Sequence, residues 1–274
     1  MNFLWWKEKR FKMVWRLEKG SRVGYVVGTA HFFPTSLEKP LTRLLQGVET
    51  VIFEGPLDEE SMAKVAECGR KPERGPSLFQ ALDPKTIEAI NKEFRDRLVP
   101  SNSAESYLQQ LQPSDTDFAR FYLEGALPWL AFFTLWSTYL DWKHSIDMEA
   151  YHIAKRLGKE IRFLETIEEQ LVAMDGIPFE RIVDYVNRFD QWNSYKRTFL
   201  NYFLAGELEK LMARTPRFPT RCESILGMRD TRFFERMIGY YESRPSIAFL
   251  GMSHIPAVKS MFLDSGFSVV QTVA

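Results

Sequence analysis

The sequence predicts an α/β fold: a central mixed β-sheet flanked by helices, with large helical insertions that form a cap. Three observations predict it. Five short runs have the composition of strands, helical patterns separate these runs, and helix start and stop signals stand at the borders. Continuous apolar runs are typical of strands buried on both faces, and their alternation with helical stretches is typical of α/β proteins.

The five strand-like runs lie in the first quarter, the middle and the last tenth of the chain. They are residues 24–27, 50–53, 160–164, 247–250 and 267–273. The first four are mostly continuous and apolar, as expected for strands that helices cover on both sides of a sheet. We therefore predict that these four form the buried part of the sheet.

Two helices next to these strands have clear boundaries. Asp147 is suited to cap a helix that runs to Leu157, and Gly158 supplies its stop just before the strand at 160–164. The second helix, residues 256–263, begins directly after His254 and has Pro256 in its first turn. Each helix is therefore predicted to connect directly to the sheet.

Two long helical stretches, residues 78–142 and 167–241, interrupt the strand pattern. The first has breaks near Pro100 and Pro113, and the second is broken around residues 215–219. No internal repeat is evident. We predict a single domain over residues 1–274, in which these insertions cover an edge of the sheet.

Composition excludes several classes of protein. Lys and Arg number 36 and Asp and Glu number 36, so no overall charge favours nucleic acid as a partner. The first residues lack a signal peptide, and the most apolar stretch, 126–140, is shorter than the roughly 20 residues that span a bilayer. The two cysteines, Cys68 and Cys222, form no metal-binding spacing, which predicts free thiols in a cytoplasmic protein without a membrane span.

Polar residues follow four of the predicted strands. His31 ends the motif GTAH at 28–31, His254 ends the motif GMSH at 251–254, and Glu54 and Glu165 follow the two other strands. Ligands in open α/β sheets bind beyond the carboxyl ends of the strands. The repeated Gly-x-x-His context therefore predicts that these four side chains form one site.

The remaining histidines, His144 and His152, lie on or beside a helix. A packing or solvated role is the simpler interpretation for both. Asp147, besides capping its helix, could orient a ligand near the mouth of the sheet.

The ordered motifs resemble those of the TraB/GumN family, which includes the TIKI proteins and is related to the erythromycin esterase and ChaN-like folds. The similarity extends from about residue 15 to residue 273. Two positions depart from the family pattern: Asp230 stands where asparagine is usual, and Ala257 replaces a glycine. The similar segments are residues 15–31, the strand before Glu54, residues 147–171, residues 205–208, Arg229-Asp230 and residues 251–256.

This resemblance implies several activities. TIKI members are described as metal-dependent proteases that use the paired Gly-x-x-His motifs and glutamates. Erythromycin esterase relatives hydrolyse an ester with histidine and no metal, and ChaN-like relatives bind haem. Because one fold can host unrelated functions, the choice among these activities rests on the site residues themselves.

The first hypothesis is a metal-dependent hydrolase of a peptide or another acyl bond, with a peptide or small molecule as substrate. His31, His254 and Glu54 are predicted to bind one divalent cation, which could be Mn, Co, Fe or Zn. Glu165 is predicted to take a proton from water on the metal. Arg229 is predicted to stabilise the developing oxyanion.

Two alternatives remain open. In the first, the protein is a metal-independent esterase-like hydrolase in which histidine acts as general base. In the second, it is a non-catalytic scaffold that binds haem or a metal in an apolar pocket. Packing between helices is the simpler interpretation of the aromatic residues that could line such a pocket: Trp129, Phe132, Phe133 and Trp136.

Overall fold

A mixed six-stranded sheet lies at the centre of the molecule, flanked by helices, in a computed structural model that describes residues 10–70, 75–98 and 117–274. This architecture confirms the predicted fold class. All five predicted strands are present, with ends that differ by at most two residues. The strands are β1 (Val14–Lys19), β2 (Arg22–Thr29), β3 (Thr50–Phe53), β4 (Glu160–Phe163), β5 (Ser246–Gly251) and β6 (Ser268–Thr272).

The strands follow the order β4-β3-β5-β2-β1-β6 across the sheet. β4, β3, β5 and β2 are parallel to one another, whereas β1 is antiparallel to both β2 and β6. The carboxyl ends of the four parallel strands therefore meet at one edge of the sheet. This edge is where ligand sites form in open α/β sheets.

The sequence patterns did not predict β1. Its charged residues, among them Arg16 and Glu18, alternate with buried Trp15 and Leu17. Such alternation is typical of a strand with one solvated face. A turn at Gly20, whose φ of 62° suits glycine, then reverses the chain into β2.

The helices connect the strands and form the layers on both sides of them. In chain order they are α1 (Glu38–Gln46), α2 (Glu59–Gly69), α3 (Leu78–Ala81), α4 (Pro84–Leu98), α5 (Phe118–Leu123), α6 (Pro128–Leu140), α7 (Ile146–Arg156), α8 (Ile167–Asp175), α9 (Phe179–Val186), α10 (Trp192–Ala205), α11 (Leu208–Arg214), α12 (Met228–Ser243) and α13 (Ile255–Asp264).

One predicted helix cap is wrong. Ser145 caps α7, because its side chain accepts a hydrogen bond from the main-chain N–H of Met148. Asp147 lies inside the first turn, so its carboxylate is not used for capping. The predicted end of α7 is confirmed, since Gly158 follows it with a φ of 63°.

Helices from both long insertions form a second hydrophobic core that adjoins the core around the sheet. Partly buried Trp142 and Tyr195 pack against both cores. The predicted break at residues 215–219 is confirmed, because α11 ends before it and α12 begins only at Met228. The breaks predicted at Pro100 and Pro113 lie outside the described residues, and the single-domain organisation stays a prediction.

The aromatic residues of α6 belong to this second core. Trp129, Phe132 and Trp136 are buried there, and Phe133 packs against it. Phe132 and Trp136 are stacked, with ring centroids 6.5 Å apart. Their role in packing between helices, the simpler interpretation of the sequence, is therefore confirmed.

The centre of the sheet, next to its carboxyl edge, is closely packed. Phe53 of β3 stacks on Phe249 of β5 with 5.4 Å between the ring centroids, and both are buried. Burial of each phenylalanine side chain contributes about 2 kcal/mol to stability.

Within the described part of the chain, both cysteines are free and partly buried, and none of the helices is long and apolar enough to cross a membrane.

Candidate active site at the carboxyl edge of the sheet

Glu54 lies at the centre of the candidate site, directly after β3. Its Oε1 accepts a 2.5 Å hydrogen bond from the main-chain N–H of Gly251 and lies 3.6 Å from Nε2 of His254. Its Oε2 is 3.5 Å from Nη2 of Arg229. Desolvation raises the pKa of Glu54, but the charges of His254, Arg229 and His31 more than offset it, so the pKa is lowered and the group stays ionised.

The glycine of the second Gly-x-x-His motif is needed for this arrangement. A Cβ atom at Gly251 would lie only 3.2 Å from Oε1 of Glu54. The main chain of β5 can therefore approach the carboxylate closely enough to donate its N–H. The motif brings a hydrogen-bond donor as well as a histidine to the site.

His254 is paired with Asp230 in the interior. Its Nδ1 lies 2.5 Å from Oδ1 of Asp230, the third residue of α12, and the two side chains are only 4% and 8% exposed. The imidazole also contacts Phe233, at 5.1 Å between ring centroids. A carboxylate on Nδ1 favours a proton there, so that in the neutral imidazole the lone pair is on Nε2, the nitrogen that faces Glu54.

His31 makes the corresponding contact with Asp147, but at the surface. Its Nδ1 is 3.0 Å from Oδ2 of Asp147, and the two side chains are 64% and 7% exposed. The alignment of this contact is too poor for a hydrogen bond, so that buried oxygen has no hydrogen-bond partner among the described residues. The contact therefore acts mainly through charge.

The pKa of His31 reflects this environment. Desolvation lowers the pKa, but the Asp147 carboxylate, with a smaller contribution from Glu54, outweighs it and raises the pKa to about 9. Without other ligands, His31 is therefore protonated at neutral pH. His31 and His254 both lower the pKa of Glu54, and Glu54 contributes to the raised pKa of His31. The two histidines and Glu54 therefore form one electrostatic group.

Glu165 and Arg229 form a buried, bidentate ion pair. Arg229 donates from Nε to Oε2 at 3.0 Å and from Nη2 to Oε1 at 2.6 Å. The Glu165 side chain is 0% exposed. Desolvation raises the pKa of Glu165 and Arg229 lowers it, with a net upward shift. The main-chain N–H of Glu165 also donates to the carbonyl of Glu54, at 2.8 Å, which joins the ends of β3 and β4.

The structure thus places all the predicted site residues at one edge of the sheet: His31, Glu54, Glu165, Arg229 and His254. In the ranges 10–70, 75–98 and 117–274, no three or more His, Cys, Asp and Glu side chains are already arranged to hold a metal ion. Metal binding therefore stays a prediction. The chemistry available to the group is that of His254 Nε2 beside the ionised carboxylate of Glu54, with His31 near enough for its charge to lower the pKa of that carboxylate.

Sequence reasoning did not pair the two aspartates with the histidines. Asp230 was noted as a departure from the family pattern, and Asp147 was interpreted as a helix cap that could also orient a ligand. The positions of both relative to the histidines depend on how helices α7 and α12 pack on the sheet. The Gly-x-x-His motifs carry no local signal for such partners.

The remaining histidines lie outside this group. His144 pairs with Glu149 through a 2.7 Å contact at Nδ1, and His152 is exposed. A groove of about 850 Å³ runs along β4 and reaches Glu165, but it includes neither His31 nor His254. We place the candidate site at the histidines, because the perturbed titratable groups converge there.

Comparison with known proteins agrees with the sequence motifs. The sequence profile of the TraB/PrgY/gumN family matches residues 13–271, nearly the whole chain. No curated protein matches the chain.

Proposed function

Because the chain belongs to the TraB/PrgY/gumN family, we propose that it is a hydrolase of acyl bonds, with a peptide or an ester as substrate, and that its reaction centre is the group His31, Glu54 and His254. One observation carries the proposal. Each histidine has a buried aspartate at Nδ1, which leaves its Nε2 available for chemistry, and His254 Nε2 lies 3.6 Å from an ionised glutamate.

The donor atoms fit a divalent cation. Two imidazole nitrogens and a carboxylate suit Mn, Co, Fe or Zn, and an aspartate on Nδ1 is the usual support of a metal-binding histidine. Two ligands of one tetrahedral ion lie about 3.4 Å apart, close to the 3.6 Å between His254 Nε2 and Glu54 Oε1. His31, His254 and Glu54 would hold the cation, which when bound would acidify water and polarise the scissile carbonyl.

The surrounding residues prepare this centre. Asp230 and Asp147 orient the two imidazoles, and the N–H of Gly251 fixes Oε1 of Glu54. Arg229 lies beside the other oxygen of Glu54 and favours its ionised form. The chain thereby keeps a negative charge on Glu54, next to His254.

The geometry suggests different roles for Glu165 and Arg229 from those inferred from sequence. Both oxygens of Glu165 accept hydrogen bonds from Arg229, so we assign Glu165 to positioning Arg229 rather than to accepting a proton. Arg229 also donates from Nη1 to the carbonyl of Ile225, at 2.8 Å. With these donors in use, we assign Arg229 to holding Glu54 rather than to stabilising an oxyanion.

A metal-independent hydrolase is the second candidate, and the state of His31 favours it. With a pKa raised to about 9, against the effect of desolvation, by Asp147 and Glu54, His31 can donate a proton to a leaving group at neutral pH. His254 Nε2 would take a proton from the attacking water. In this version Arg229, rather than a cation, balances the charge of Glu54.

Two further expectations concern the cellular compartment and haem binding. The free cysteines support a reducing compartment such as the cytoplasm. A haem-binding scaffold draws no support from the aromatic residues of α6, because these rings pack in the second core.

The test is hydrolysis of a panel of nitrophenyl esters and fluorogenic peptides by protein purified without chelator. We expect His254→Ala to lower kcat/KM about 10³-fold or more, because it removes a group at the reaction centre. His152→Ala, an exposed histidine outside the site, is the matched control and should match the wild type. Full activity in His254→Ala would contradict the proposal.

A second measurement separates the two versions. The protein is dialysed against EDTA and assayed before and after addition of Mn, Co or Zn. Loss and recovery of activity would support the metal-dependent version. Unchanged activity after EDTA, with loss in His31→Ala, would support the metal-independent one.

A further inference from the structure

Arg221, in the segment between α11 and α12, is a partly exposed cation with two buried donor atoms and no counter-charge among the described residues. Its Nη1 donates to the carbonyl of Met212 at 2.6 Å. Its Nε and Nη2 are buried and have no hydrogen-bond partner among residues 10–70, 75–98 and 117–274. Within those same ranges, Arg221 forms no ion pair with a carboxylate.

A second unsatisfied group lies nearby. Tyr185 of α9 is 5% exposed, and its Oη is buried without a hydrogen-bond partner in the described part of the chain. The ring of Tyr185 packs edge-on against Phe218, with 5.3 Å between the ring centroids, and the main-chain N–H of Arg221 donates to the carbonyl of Phe218 at 2.9 Å. Tyr185 and Arg221 therefore lie on either side of one residue. Burial raises the pKa of Tyr185 well above its usual value, so its hydroxyl stays neutral and cannot balance the arginine.

The other neighbours of Arg221 do not supply a negative charge either. Tyr195 lies close, and burial raises the pKa of its hydroxyl as well. Arg181 is also close and is positively charged. Its guanidinium donates to the carbonyls of Pro216, Phe218 and Pro219, which anchors the segment that carries Arg221.

Such an arrangement is costly unless an anion completes it. A guanidinium cannot lose its proton in a protein, and a buried charge without a partner is strongly destabilising. The two free donors, Nε and Nη2, stand on the same edge of the guanidinium. This edge is the fork that binds two oxygens of a carboxylate or phosphate at once.

We propose that Arg221 and Tyr185 form a binding site for a small oxyanion, a carboxylate or phosphate group, in the helical part of the molecule and apart from the histidine site. The oxyanion receives two hydrogen bonds from Nε and Nη2 of Arg221 and one from the hydroxyl of Tyr185. Arg221, Tyr195 and Phe218 are each partly exposed, so the site lies just beneath the surface.

The oxyanion site is close in sequence to two residues that support the reaction centre. Arg221 lies eight residues before Arg229, and Arg229 and Asp230, in the first turn of α12, hold Glu54 and His254. An oxyanion bound at Arg221 would therefore stabilise the segment that leads into this turn. Binding itself is measured without any substrate, so its outcome does not depend on the proposed hydrolase activity.

The experiment is isothermal titration of the full chain with phosphate and, separately, with acetate, with sodium chloride at equal ionic strength as the reference. We expect saturable binding of at least one oxyanion and none of chloride. A response to phosphate alone or to acetate alone identifies the group that the site prefers. Absence of saturable binding of both would overturn the proposal.

Variants locate the binding. Arg221→Met should abolish it, and Arg221→Lys, which keeps the charge but loses the fork, should weaken it more than tenfold. Tyr185→Phe should weaken it about fivefold by loss of one neutral hydrogen bond. Arg217→Met, which removes an exposed arginine of the same segment, should leave it unchanged.

The same variants can contradict the proposal. Equal affinity in the wild type and in both Arg221→Lys and Tyr185→Phe would place the oxyanion elsewhere. If Arg221→Met does not fold, these two milder variants decide the matter, since each keeps most of the buried volume. An effect of Arg217→Met as large as that of Arg221→Lys would show non-specific attraction to positive charge.

Discussion

The two Gly-x-x-His motifs end in histidines with the same contact and opposite surroundings. His254 and Asp230 are both buried, at 4% and 8% exposure, and their atoms are 2.5 Å apart. His31 and Asp147 are 3.0 Å apart, and the imidazole of His31 is 64% exposed. The same motif therefore gives a buried His–Asp pair in one place and a solvent-accessible His–Asp pair in the other.

This difference separates the tasks of the two histidines. His254 is held on several sides, by Asp230, Phe233 and Glu54, so its Nε2 has one position. His31 is held by charge alone and keeps contact with solvent. We expect His254 to define the geometry of the centre and His31 to exchange protons or ligands with the solvent.

The largest expected effect on stability concerns the ion pair that supports the buried half. Glu165→Gln leaves the buried guanidinium of Arg229 with only the more distant Glu54 and Asp230 as counter-charges among the described residues. Because removal of one partner leaves a buried charge, the free energy of unfolding should fall by about 3 kcal/mol. Urea denaturation measures it.

The matched control for this change is Asp184→Asn, which breaks the surface ion pair with Arg188. That change should cost less than about 0.5 kcal/mol, since exposed pairs contribute little. Similar losses in Glu165→Gln and Asp184→Asn would show that burial of the Glu165–Arg229 pair has no special weight.

A direct comparison of the two pairs comes next in size. Asp230→Ala should lower the free energy of unfolding by about 2 kcal/mol, because Nδ1–H of His254 is left buried without an acceptor. Asp147→Ala should cost less than about 1 kcal/mol, because water can reach His31. Asp230→Asn should stay close to the wild type, since an amide oxygen can accept the same hydrogen bond.

Thermal and urea denaturation of these three variants would measure the difference. Equal losses in Asp230→Ala and Asp147→Ala would break the distinction between a buried and an accessible pair. A loss in Asp230→Asn as large as in Asp230→Ala would show that the negative charge, rather than the hydrogen bond, holds His254.

The smallest effect is the pH dependence that His31 gives to stability. The pKa of His31 in the folded protein, about 9, lies above its ordinary value of 6.5, because Asp147 and Glu54 outweigh desolvation. The resulting stabilisation is therefore complete below pH 6.5 and is lost as the pH rises through 9. Because solvent reaches the exposed imidazole ring, this stabilisation is small.

We expect the difference in melting temperature between the wild type and His31→Gln to be larger at pH 6 than at pH 10. His152→Gln, which changes an exposed histidine outside the site, should give a difference that does not vary over this range. A His31→Gln difference that is constant from pH 6 to pH 10 would contradict the raised pKa.

The sequence predicted which residues form this site but not how they pair with one another. The apolar runs identified the four parallel strands, and the residues that follow them, His31, Glu54, Glu165 and His254, do meet at one edge. This part was predictable because strand periodicity is local and parallel strands share a carboxyl edge. The partners of those residues were not.

The missed partners depend on contacts between distant parts of the chain. Asp147 is 116 positions from His31, and its helix must pack at the mouth of the sheet before the two can meet. Glu165 was predicted to accept a proton, because no local signal points to its partner, Arg229, which is 64 residues away. β1 was missed for another reason: its Arg16 and Glu18 interrupt the apolar pattern that identified the other strands.

An NMR titration of His31 in metal-free protein tests most directly whether the two motifs form one group around Glu54. We expect its imidazole to titrate at about pH 9 in the wild type, and at a lower pH in both Asp147→Asn and Glu54→Gln. Asp147→Asn should lower the midpoint more, because that carboxylate is the nearer one. A midpoint near 6.5 in the wild type, unchanged in Glu54→Gln, would contradict a shared site.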